Sequence, residues 1–229
     1  MLTIGKREFF QLFKGFKSIL LILVFLVTSF YTAKFSDVLA EAMELTAKEA
    51  SEVHLVGLLF LVMFFGQLFV ASLSHDSINR EIHERTMRFL VTKTTRFSII
   101  LGKFFGIWMF WFVCLFLSFL IIALTTKKID LLVFGQTMSL LTLQISFVLL
   151  LSVLITKPGA TMFLGILGGI LLPILGAWFA LTSNAAISWL KFVSPFYYVD
   201  LNDYSFLLLL VFACILIYLT NLIFKRREC

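Results

Sequence analysis

The sequence predicts an all-α polytopic membrane fold: six transmembrane helices, a short helix in the headgroup plane before them, and one helical loop on the cytoplasmic side. Three observations carry this. Hydrophobic residues make up 61% of the 229-residue chain, charged residues only 14%, and 28 residues are Phe, more than one soluble core of this size could hide. Six apolar runs reach the roughly twenty residues needed to cross about 30 Å of hydrocarbon: 18–35, 53–73, 99–124, 131–155, 161–181 and 204–224. Their hydropathy does not alternate, which disfavours a β-barrel. The whole chain, 1–229, is therefore expected to form a single transmembrane domain.

Charge sets the expected orientation. With the N-terminus cytoplasmic, fourteen of the nineteen Lys and Arg residues lie inside, and only Lys34, Lys48, Lys127, Lys128 and Lys191 lie outside. The expectation is a multi-pass protein of the cell membrane with both termini cytoplasmic. The formal charge of +6 is explained by cations beside membrane segments and anionic lipid, so no nucleic-acid partner is expected. The three cysteines show no metal spacing, since Cys114 and Cys214 fall inside spans and Cys229 is the last residue.

Taken in order, residues 2–17 put Leu2, Phe9, Leu12, Phe13 and Phe16 on one arc, with Arg7, Gln11 and Lys14 opposite. This is the pattern of a helix lying in the interface, and Gly15 would let it bend into span one. Span one lacks a small-x-small cleavage site and is read as a retained helix. Residues 36–52 carry Asp37, Glu41, Glu44, Glu49 and Glu52 on mostly one helical side, either a solvated face or an acidic vestibule. Spans two and four hold primary amides, Gln67 after Gly66, and Gln136 and Gln144. These amides are expected to bond between helices or, with Phe64, to line a pathway. Span five has a small-xxx-small face at Gly165 and Gly169 and a kink expected at Pro173, for a contact within the chain or with another subunit. Residues 182–203, with Trp189, Phe192, Phe196, Tyr197 and Tyr198, predict an outer interfacial or re-entrant segment bending at Pro195.

The longest charged stretch lies between spans two and three, at 74–98. Ser74, Asp76 and Ser77 offer helix N-caps. On a helix of 100° per residue, Ile78, Ile82 and Phe89 share one stripe, while Arg80, Glu81, Glu84 and Arg88 fall away from it. One amphipathic helix near 76–90 is predicted, followed by the polar turn Thr92-Lys93-Thr94-Thr95. The stripe needs a surface to cover, on a partner or on this protein's own span ends.

Several chemistries are missing. His75, Asp76, His83 and Glu84 resemble metal ligands only as a set, because Met87 stands where HExxH needs its second His. No GxSxG or GxxxxGK[ST] motif occurs, so the chain is not expected to be an enzyme or to bind a cofactor itself. By this reading no charged residue lies deep in a span, which weakens a proton-coupled transporter.

With these pieces in place, the chain resembles the membrane subunits of the type-2 ABC transporter family, six-helix exporter permeases that work with a separate ATPase. GKREFFQLFKGFKSILLIL is similar to the family's elbow helix and first span, ERTMRFLVTKTTRFSIILGKFFG to its coupling loop and start of span three, and VSPFYYVDL to the segment before its last span. Thr94 or Thr95 stands near the place where the family commonly has Pro in the turn. The resemblance implies that the elbow is 1–17 and that the coupling helix docks on an ABC ATPase subunit, present in two copies, through Ile78, Arg80, Glu81, Ile82, Glu84, Arg85, Thr86, Arg88 and Phe89. It further implies ATP and Mg on that ATPase, a second permease copy or paralogue, surrounding lipid, and export of a hydrophobic or amphipathic cargo. The rival expectation is a membrane sensor or scaffold that uses the same loop without transport.

Overall fold

The computed structural model describes residues 1–42, 44, 47–182, 189–192, 194–200 and 204–226. Among them there is no strand, and six helices are long and apolar enough to cross a membrane, so this is an all-α multi-pass membrane protein. Six crossings return both chain ends to one side of the bundle, the termini side.

Helix α1 (Leu2–Phe13) ends at Lys14, and Gly15, in extended conformation, starts α2 (Phe16–Lys34), the first span. The expected bend at Gly15 is therefore present. After α3 (Ser36–Ala42), the second span is α4 (Ala47–Phe60), a π-helical turn at Leu61–Phe65 and α5 (Gly66–Ser74). The wide turn brings Gly66 against span four, where a Cβ on Gly66 would lie 2.6 Å from Oε1 of Gln144. Of the expected outer acidic set, Glu49 and Glu52 have side chains outside those described, while Asp37 and Glu41 are exposed.

The loop departs from expectation. Instead of one helix near 76–90 there are two short ones, α6 (Asn79–His83) and α7 (Met87–Lys93). The break is at Glu84-Arg85-Thr86, where Arg85 takes a left-handed φ of 58°. Ser74, Asp76 and Ser77 do not cap α6. Its first turn begins at Ile78 with no side-chain cap of its own, and the amides of Ile78 and Asn79 instead donate to Ser152 Oγ of span four at 3.0 and 3.2 Å.

Spans three to five are α8 (Arg96–Thr126), α9 (Leu131–Leu154) and α10 (Pro158–Leu181). Thr95 caps α8, its Oγ1 accepting from the amide of Ser98 at 3.3 Å. Helix α10 continues through Pro173. Beyond it come a 3₁₀ turn (Trp189–Phe192), α11 (Pro195–Asp200), a second 3₁₀ turn (Tyr204–Phe206) and α12 (Leu207–Arg226), the last span. A new short helix starts at Pro195, where a bend in the segment was expected, and Tyr198 folds back to donate its hydroxyl to the Phe192 carbonyl at 2.7 Å. Residues 183–188, 193 and 201–203 of that segment lie outside the described residues.

Span four is the centre of the bundle. Its most apolar stretch is 72% buried, against 22% for span five and 28% for spans one and six. Helix α9 packs on α12, α5 and α8, α2 on α4 and α8, and α10 on α5. Helix α1 lies along α8, and glycines allow the close approach. A Cβ on Gly106 would stand 2.7 Å from both Glu8 Cβ and the Gly5 carbonyl, and one on Gly102 would stand 3.0 Å from Ile4.

Candidate functional site

The loop between spans two and three is pinned to the body at three places. At its start, besides the Ser152 contacts, Asn79 Nδ2 donates to Thr161 Oγ1 of span five at 2.6 Å. In the middle, Glu81 Oε1 meets Lys103 Nζ of span three at 3.0 Å, and the same ammonium binds Glu8 Oε1 of α1 at 2.5 Å. At its end, Arg96 Nη1 donates to the carbonyls of Phe224 and Lys225 at 2.6 and 2.8 Å, and its guanidinium lies over the Phe224 ring at 5.6 Å. A cation placed on the last carbonyls of α12 also complements that helix's dipole.

These anchors sort the expected docking residues. Ile78 is fully buried in the protein's own core, and Glu81 is 7% exposed and bonded to Lys103, so neither faces a partner. Ile82 is half-buried against the core. The expected stripe splits because the turn at Arg85 rotates α7 relative to α6, so Met87 points inward, 1% exposed, and Phe89 outward, 74% exposed. Glu84, Arg85, Thr86 and Arg88 are exposed as well. Arg80 is half-buried and pairs with Asp76 at 3.3 Å. Phe89 and Leu90 line a concavity of about 280 Å³ together with Arg7, Arg80, Glu81, Glu84, Thr86 and Lys93. An exposed aromatic ring inside a rim of mixed charge has the make-up of a protein-docking surface.

The second group of expected residues does not converge on one cavity. Gly165 and Gly169 make a contact within the chain: Cβ atoms there would stand 2.7 Å from Ala71 and from Leu68 of α5. Gln144 Nε2 reaches the Val62 carbonyl in the π turn at 3.4 Å, a helix-to-helix bond. Gln67 and Gln136 are buried, each with an Nε2 that meets no acceptor among the described residues. Phe64 and Pro173 line one concavity of about 170 Å³ on the side away from the termini, with Phe196, Tyr197 and Lys191. His75, once a candidate ligand, bonds the Ala71 carbonyl through Nδ1 at 3.0 Å. Among the described residues no group of three or more His, Cys, Asp or Glu could hold a metal ion.

Sequence reasoning missed Lys103 as a buried ion. It also missed Glu8, Asn79, Ser152, Thr161 and Arg96 as anchors. One available signal was Gly102-x-x-x-Gly106, the same small-residue spacing recognised at Gly165 and Gly169, which marks the α1–α8 contact that seals Lys103 from solvent. A comparison with models of known protein families and a comparison with curated proteins both find no match for the chain.

Proposed function

We propose that this chain is the permease subunit of an ATP-driven exporter in the cell membrane. Its termini side is cytoplasmic, and two copies, or one copy and a paralogue, pair with two copies of a separate ATPase that carries ATP and Mg. The observation behind this reading is Phe89, 74% exposed on a loop whose other apolar residues before α8 are buried or half-buried. The loop is held by Lys103, Ser152 and Thr161, from three different spans, so a push on it reaches the bundle directly. The six apolar spans and the order of the three sequence segments fit the same reading. The exposed aliphatic and aromatic faces of the spans suit a hydrophobic or amphipathic cargo.

The test is a mild-detergent pull-down of the tagged chain with an ATPase assay on the eluate. A soluble subunit bearing GxxxxGK[ST] is expected to come with it. An interface aromatic of this kind is worth about 2 kcal/mol or more, so Phe89→Asp should cut its recovery about thirtyfold. Reversing the charges of Glu84 and Arg85 should weaken recovery through the rim while membrane insertion stays unchanged. A preparation without any nucleotide-binding partner would instead favour a sensor or scaffold.

A further inference from the structure

We propose that the cavity between α1, α2 and the first residues of the loop binds the phosphate of a phospholipid headgroup, with Lys17 as its counter-charge. The cavity has a volume of about 390 Å³, far more than a single ion needs. Its lining combines polar groups, among them Lys17, Ser74, His75, Ser77 and the Asp76–Arg80 pair, with the apolar side chains of Leu12, Phe16, Leu73 and Ile107.

Charge selects the ligand. Asp76 and Arg80 neutralise each other at 3.3 Å, and Glu8, which also reaches the cavity, is held by Lys103. Lys17 is left as the cation with no acidic partner among the described residues, a charge of +1 that matches one phosphodiester. Ser74 and Ser77 are 2% and 4% exposed, and their Oγ atoms have no hydrogen-bond partner among the described residues. Phosphate oxygens are strong acceptors for such hydroxyls, whose desolvation is otherwise uncompensated.

Position separates a lipid from free phosphate. The cavity opens where α1 turns into span one, the place at which an interfacial helix would meet the headgroups, and Phe16, Ile19, Leu20 and Leu23 continue from it as an exposed apolar strip, 53–78% exposed, on which an acyl chain can lie. Inorganic phosphate would use the polar groups and leave that strip bare. Basic pockets between spans are recognised headgroup sites. An occupant here ties the first turn of the loop to the leaflet, whichever protein docks at Phe89.

The test is native mass spectrometry of the full chain released from nanodiscs of phosphatidylcholine doped with phosphatidylglycerol. One phosphatidylglycerol per chain is expected to survive release. Lys17→Glu should lower its retention about tenfold, Lys17→Arg should restore it, and Lys6→Glu, a cation outside the cavity, should leave it unchanged. Ser77→Ala should also weaken retention, and thermal melting of each variant separates lost binding from lost folding. Equal retention in folded Lys17→Glu, or equal loss in Lys6→Glu, would overturn the site. Firm retention of phosphatidylcholine would overturn the charge match, and displacement by millimolar inorganic phosphate would overturn the lipid assignment.

Discussion

Lys103 is sealed from solvent between Glu8 and Glu81, so three ions lose their hydration and recover it only through two short contacts, at 2.5 and 3.0 Å. Removing the cation is worse than never having had it. Lys103→Met leaves two carboxylates facing each other across an apolar gap and is expected to cost about 3–5 kcal/mol, read as a lower melting temperature of the detergent-solubilised chain. Neutralising all three, as Glu8→Gln, Lys103→Met and Glu81→Gln together, is expected to recover most of that loss. A triple variant no more stable than the single one would show that the ions do not act as a unit. This cluster was not legible in the sequence. Lys103 lies 95 residues from Glu8, so no periodicity links them, and a Lys near a span end fits the Lys and Arg bias without signalling burial. Glu81 belongs to a charged helix face by spacing alone, and only the fold turns Glu81 inward while Glu84 and Arg88 of that face stay exposed. Phe89 was legible as an apolar residue in need of cover, but not as the one left exposed.

At the scale of elements, the spans were legible to within about three residues at most ends, because twenty consecutive apolar residues allow few alternatives to a membrane helix. The loop was read as one helix because its apolar spacing fits one, while the Glu84-Arg85-Thr86 break is imposed by tertiary anchors on either side. A sequence without Gly or Pro at that point gives no local warning of a turn. The π turn in span two was equally silent. Helix contacts offer a sharper check. Gly106→Ala puts a methyl 2.7 Å from Glu8 and from the Gly5 carbonyl, and is expected to lift α1 off α8 at a cost of about 1–3 kcal/mol in thermal stability. Gly159, with nothing within 4 Å of its added methyl, is the matched control, and Gly159→Ala is expected to leave the melting temperature unchanged or slightly raised.

For the whole molecule, the bundle is built around span four, with spans one, five and six at its margins. Because Gly165 and Gly169 are used up on α5, the second copy in the proposed assembly would have to use other faces, such as the exposed side of α2 or of α12. Sidedness is testable directly. The bias of Lys and Arg toward the termini side means that a fluorescent protein fused after Cys229 should fold and emit in the cytoplasm, and a dark fusion would reverse the topology. The grip of Arg96 on the carbonyls of Phe224 and Lys225 has a consequence for timing. The two partners lie 128 residues apart, which at ~5–20 residues per second is about 6–26 s of translation. Throughout that interval the start of the loop can find Ser152 and Thr161 as soon as they emerge, while its far end waits for the last span. Phe89 therefore acquires its final setting only when synthesis has passed Lys225, so that, under the proposed docking role, half-made copies would not present it before all six helices are made.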